Sequence, residues 1–133
     1  MSVRDRRDFL RDAGLGAAAL TLTAGSPAGA AAQADAVAVA VIGCGGMGSG
    51  HLERLAGRKD VRVAYVCDPD RERLARAARI AEGKSGRAPK AVTDLREVLD
   101  DREVQAVWVA TPDHWHGPAT ILACEAGKHV YVE

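Results

Sequence analysis

The sequence predicts an α/β domain built on a doubly wound parallel sheet of about five strands. Three observations carry that prediction. Short apolar runs rich in β-branched residues alternate with helix-length amphipathic stretches from residue 36 onward. A glycine-rich bend, Gly43-Cys44-Gly45-Gly46-Met47-Gly48, follows the first run directly. An acidic residue, Asp68, closes the second run, 20 positions after Gly48.

Val37-Ala38-Val39-Ala40-Val41-Ile42 is continuous rather than alternating, the pattern of a strand covered on both faces. After the bend, Gly48, Leu52, Leu55 and Ala56 share one helical face, and Gly57 lies past the end. Val61 to Cys67 reads as the second strand, and Asp68-Pro69-Asp70 stops it and opens another helix. There Leu74, Ala77, Ala78 and Ala81 form the apolar face, while Arg71, Arg73, Arg76 and Arg79 form a solvated one. Gly83-Lys84-Ser85-Gly86 is expected to be a loop. Ala91-Val92-Thr93 makes a short third strand, and Asp94-Leu95-Arg96-Glu97 has the spacing of a capping box. Ala106 to Ala110 is the fourth strand, with Thr111 to His116 as its carboxyl-end loop and Pro118 in the first turn of the next helix. Gly127 closes that helix, and His129 to Val132 begins a fifth strand. Strand–helix alternation with connections of this length predicts parallel crossovers and the strand order 3-2-1-4-5.

Composition narrows the function classes. The 133 residues carry 18 Lys and Arg against 18 Asp and Glu, a length that suits one domain. That balance excludes a broad basic face for nucleic acid or anionic lipid. A hydrophobic content of 47% excludes a disordered chain. Cys44, Cys67 and Cys124 form no CxxC pair, which excludes a zinc ribbon and a dense disulfide framework.

Residues 1–34 read as an export signal, leaving residues 35–133 as the folded domain. Arg4, Arg6, Arg7 and Arg11 make a basic start, Ala13 to Gly25 is an uncharged and weakly apolar run, and small residues follow as far as Ala34. The run is too short for a membrane span, which needs roughly 20 residues. Asp5-Arg6-Arg7-Asp8-Phe9-Leu10-Arg11 resembles the twin-arginine signal, which implies periplasmic or extracytoplasmic delivery of an already folded protein.

The bend and the acid define a chemistry. In a Gly-x-Gly-x-x-Gly turn between strand and helix, Gly43 permits the tight turn. Gly45 lets backbone amides approach a pyrophosphate, and Gly48 allows close helix–strand packing. The helix start offers unpaired N–H groups to the anion. A carboxylate at Asp68 accepts hydrogen bonds from a ribose diol and repels a 2′-phosphate, favouring NAD over NADP. Arg71 keeps NADP open as a cofactor, and Asp68 could instead cap the helix that follows. An S-adenosylmethionine site usually has an acid just before the first glycine, where this chain has Val41 and Ile42. Two histidines at i, i+2, His114 and His116, lack the helical i, i+4 geometry of a zinc pair, so no metal is expected. Contact with cofactor or substrate and a structural role both stay open for them. Cys44 fills a tight turn with no base beside it, and His51 and His129 read as structural.

Four motifs in order, Val41 to Gly48, Val66 to Asp70, Ala106 to His116 and Ala126 to Glu133, resemble the nucleotide-binding Rossmann domain of the glucose–fructose oxidoreductase/inositol dehydrogenase (Gfo/Idh/MocA) family. The resemblance implies that the turn Gly43, Cys44, Gly45, Gly46, Met47 and Gly48 holds the pyrophosphate and that Asp68 meets the adenosine ribose. It implies that Thr111 and Pro112 lie along the cofactor and that His116 borders its nicotinamide end. Glu133 matches the first residue of the family's Glu-Lys-Pro motif. The lysine that commonly serves substrate binding or proton transfer would follow it, so no catalytic residue is assigned. The family adds a second α/β domain that forms much of the substrate pocket and the oligomer interface. By resemblance, then, the chain is a truncated piece of an exported oxidoreductase for a sugar, cyclitol or related hydroxy compound, inactive alone and oligomeric only with the missing domain. An NAD-dependent glycosidase of the same fold and a non-catalytic nucleotide-binding module are the alternatives.

Overall fold

A computed structural model describes residues 36–133, and the export signal expected over residues 1–34 lies outside the described residues. Five strands, β1 (Val37–Ile42), β2 (Val61–Cys67), β3 (Lys90–Val92), β4 (Ala106–Val109) and β5 (His129–Val132), form one sheet. The order is β3-β2-β1-β4-β5 and every pairing is parallel. Four helices connect them: α1 (Gly46–Ala56), α2 (Arg71–Ser85), α3 (Leu95–Asp100) and α4 (Asp113–Glu125).

Alternation along β1 explains its unbroken apolar sequence. Val39 and Val41 pack with Leu52, Leu55, Leu74, Ala77 and Ala81 of α1 and α2. Ala40 and Ile42 face the other way, toward Val98 and Leu99 of α3 and Ala119 and Ala123 of α4. Each face of the central strand is therefore covered, and no residue of β1 beyond Val37 is exposed. Small residues at the helix contacts let the helices lie close on the sheet. The register of β1 against β2 shifts between Val39 and Ala40, which skips Ala64.

Local signals fix the helix ends, with two differences from the sequence expectation. Asp70 caps α2, its side chain accepting from the Glu72 and Arg73 amides, as Asp94 caps α3 by accepting from Arg96. Gly83, Lys84 and Ser85 are not a loop; they continue α2, which ends at Gly86 in the left-handed conformation (φ 71°). The apolar face out to Ala81 carries the helix past Gly83, whose cost is small beside that packing. Likewise, Asp113 to His116 form the first turn of α4, leaving only Ala110, Thr111 and Pro112 as connection, and Pro118 sits inside the helix. An early start is favoured by the acidic Asp113 beside the positive helix end. Among the described residues, no helix is long and apolar enough to cross a membrane.

The direction in which strands are added to the sheet reverses beside β1: β2 and β3 are laid on one side, β4 and β5 on the other. A crevice opens outside the carboxyl ends at such a switch point.

Candidate cofactor site

At the end of β1 the chain turns under tight steric control. Gly43 adopts φ +90°, donates its N–H to the Cys67 carbonyl at 2.8 Å, and has no room for a side chain, since a Cβ would lie 2.5 Å from the Ala110 oxygen. A Cβ on Gly48 would lie 1.8 Å from the Gly43 oxygen, so α1 is packed directly on the bend. Gly45 differs from both. Its φ of −70° suits any residue, and a Cβ there would meet only a terminal nitrogen of Arg73, 4.0 Å away. The fold demands bare backbone at 43 and 48 but not at 45.

Gly45 is also the N-cap of α1, and that helix end has no side-chain cap and no acidic residue in its first turn. Its leading amides are left facing out of the bend with the positive end of the helix behind them. Asp68 stands beside them, only 5% exposed. Its Oδ2 accepts the Cys44 N–H at 2.7 Å and its Oδ1 accepts the Asp70 N–H at 2.8 Å. The carboxylate thus fastens the bend to the end of β2, and each oxygen keeps a second lone pair for another donor. Helix capping, the other role open to Asp68, belongs to Asp70.

Gly43, Asp68, Thr111 and Pro112 line one open crevice of about 720 Å³. The structure so brings together Gly43, the acid and the turn after β4, while Cys44 to Gly48 are outside that lining. Cys44 is fully buried behind the bend, and burial, then the neighbouring Asp68 charge, pushes its thiol up to about 12, so it is no nucleophile. Met47 projects from the first turn of α1, 63% exposed. His116 turns back, its Nε2 on the Thr111 carbonyl at 2.6 Å, and it is His114 that lines the crevice, with Trp115. Glu133 pairs with His51 on the α1 side of the sheet and is not in the crevice lining. Among the described residues no group of three or more His, Cys, Asp or Glu could hold a metal ion.

Sequence reasoning missed part of the lining. Arg71, which the sequence had singled out for NADP, borders the crevice, and so do Arg73, Thr93, Asp94 and Arg96, which it had not. On α2, Arg71 and Arg73 were indistinguishable by helical period from Arg76 and Arg79. Their signal is position: the first turn of a helix that follows a parallel strand lies at the carboxyl edge of the sheet.

An amide-lined bend, an acid beside it and a crevice at the switch point define a dinucleotide-binding domain. The particular kind follows from comparison: residues 37–133 match the oxidoreductase family with the NAD-binding Rossmann fold, GFO_IDH_MocA, and the chain belongs to that family. A curated relative, the alpha-N-acetylgalactosaminidase of Shewanella oneidensis, is 32% identical over 95 residues, covering 68% of this chain and 21% of that protein. An NAD binding oxidoreductase from Klebsiella pneumoniae is 31% identical with a TM-score of 0.59, covering 74% of this chain and 27% of that one. The myo-inositol dehydrogenase of Lactobacillus casei, solved with NAD(H) and myo-inositol, is 28% identical with a TM-score of 0.65, over 73% of this chain and 28% of that one. The chain spans about a fifth of the length of the curated relatives it matches.

Proposed function

We propose that residues 37–133 are the cofactor half of an NAD-dependent oxidoreductase whose whole form acts on a sugar, cyclitol or related hydroxy compound. One observation carries the cofactor assignment: Gly45 is bare where the fold leaves room for a side chain, at the uncapped start of α1. Close approach of a diphosphate accounts for that, since any side chain would hold the anion off the amides.

Beside the crevice, next to Gly43 in its lining, the amides at the start of α1 hold the diphosphate. Asp68, already aligned by two backbone N–H groups, accepts the ribose hydroxyls on its remaining lone pairs. Thr111 and Pro112 border the opposite wall, with His114 and Trp115 beyond them. NAD bound there would supply hydride acceptance, and the described residues would hold and orient it.

Titration with NADH tests this reading. The chain is expected to bind saturably, and Gly45→Val is expected to lower affinity at least about tenfold while costing no more than about 1 kcal/mol of stability, the worth of a glycine at an N-cap. Equal affinity in the variant overturns the assignment.

The galactosaminidase relative favours a second reading, a glycosidase using transient oxidation of the sugar. Sugar cleavage without net NADH release by the full-length enzyme marks that reading, and net NADH production marks the first. We also infer export through the twin-arginine motif of residues 5–11, supported by Arg6-Arg7 ahead of Phe9-Leu10 and a short apolar run. Replacing both arginines by lysine is expected to retain the protein inside the cell; undiminished export would refute the inference.

A further inference from the structure

At the end of the sheet opposite the cofactor crevice, the even charge balance of the chain breaks down locally. A second open pocket, of about 410 Å³, lies where β2 begins and α1 and α2 end. Its lining holds five cationic side chains, Arg58, Lys59, Arg62, Lys84 and Arg87, and no carboxylate; Glu53 and Glu82 of the same helix ends stay outside it. Two of the five are paired from beyond the lining. Arg58 grips both oxygens of Asp60 at 2.6 and 2.9 Å, and Arg62 meets Glu103 at 3.4 Å. Among the described residues, Lys59, Lys84 and Arg87 form no ion pair. Helix ends account for only part of that surplus. A helix carboxyl end is equivalent to roughly half a negative charge, so α1 and α2 together call for about one cation.

The backbone beneath these side chains is fixed. Gly86 turns left-handed at the end of α2 and donates its N–H to the Glu82 carbonyl at 2.8 Å. Ser85 Oγ accepts the Arg87 N–H at 3.2 Å and donates to the Ala81 carbonyl at 2.8 Å. Lys84 and Arg87 therefore leave one tied turn. Lys59 leaves another, since the Arg58 N–H is on the Leu55 carbonyl at 3.1 Å and the Asp60 carbonyl accepts the Val37 N–H at 2.9 Å. We propose that Lys59, Lys84 and Arg87 form a binding site for a phosphate group. A dianionic phosphate matches their unpaired charge, with forked N–H donors from the guanidinium and point charges from the two ammonium groups. Two sources present that group: a soluble phosphate ester and the headgroup of an anionic lipid. The pocket shares no lining residue with the crevice, so the proposal stands apart from the cofactor reading.

Amide NMR titration of the 133-residue chain with inorganic phosphate, at an ionic strength held constant with chloride, tests the site. The Lys59 and Arg87 amides are expected to shift saturably. The Lys84→Ala, Arg87→Ala double variant is expected to weaken binding, read at the Lys59 amide, at least about tenfold. An Arg76→Ala, Arg79→Ala double variant, exposed on α2 and outside the pocket, removes the same charge and is expected to change binding less than about twofold. All four side chains are exposed, so neither variant puts the core at risk. Sedimentation with phosphatidylglycerol vesicles, against phosphatidylcholine vesicles, separates the sources. A loss of sedimentation in the Lys84→Ala, Arg87→Ala variant identifies the headgroup, and equal sedimentation of variant and unaltered chain identifies the soluble ester. No saturable shift at Lys59 and Arg87, wherever else phosphate binds, overturns the proposal. So does unchanged affinity in the Lys84→Ala, Arg87→Ala variant, or an equal loss in the Arg76→Ala, Arg79→Ala variant; each leaves the cofactor reading in place.

Discussion

At the scale of single residues, the three glycines of the Gly-x-Gly-x-x-Gly motif separate by cause. Gly43 and Gly48 answer to the protein itself, through contacts of 2.5 and 1.8 Å that a methyl group would have to occupy. Gly48→Ala is therefore expected to push α1 off the bend and cost about 2 kcal/mol or more in chemical denaturation. Gly45→Val, by contrast, should cost no more than about 1 kcal/mol, the loss of a glycine N-cap. A motif of three glycines was legible in the sequence, and so was its fit to a diphosphate. Which glycine serves the fold and which the ligand was not, because that division depends on Ala110, brought to the bend by β4 from 67 positions down the chain. His116, expected at the nicotinamide end of the cofactor, has its Nε2 on the Thr111 carbonyl, and His114 lines the crevice. Two histidines at i, i+2 point in different directions once the loop becomes the first turn of a helix.

Among the elements, helix entry is controlled by carboxylates. Asp70 is held below the usual carboxylate range by the Arg73 and Glu72 amides. Asp94 is brought to about 2, first by the Arg96 guanidinium and then by the Arg96 amide. Their pKa values are lower folded than unfolded, so the stability they lend is present above about pH 4 and is lost as pH falls toward 2. Thermal unfolding followed from about pH 5 to about pH 2 should show a falling midpoint, with a shallower fall in the Asp70→Asn, Asp94→Asn double variant. An asparagine still caps but does not titrate in this window; an equally steep fall would mean other acids carry the effect. These caps were readable in the sequence as acids ahead of apolar periodic runs. Helix lengths were less so, since α2 outruns Gly83 and α4 starts ahead of Pro118. In each case tertiary packing or an end charge outweighs a local breaker, and neither is visible in a short window of sequence. A buried lysine went unnoticed too: Lys128 is 9% exposed and donates to the Asp101 carbonyl at 2.6 Å, joining the start of β5 to the end of α3.

For the molecule as a whole, strand order was inferable because parallel connections leave few alternatives. The five-strand order follows from alternation, and the two-faced burial of β1 follows from that order. What lines the crevice could not be read in the same way. Its walls come from the ends of β1, β2 and β4 and from the first turns of three helices, α2, α3 and α4, so neighbours in space are far apart in sequence. Asp68 joins two of these walls before any ligand arrives, by accepting one amide from the bend and one from the approach to α2. A receptor whose main chain is already set loses little entropy on capture, and encounter need not wait for a loop to fold. Coenzyme exchange should accordingly be quick, with discrimination between coenzymes residing in residence time rather than in the speed of entry.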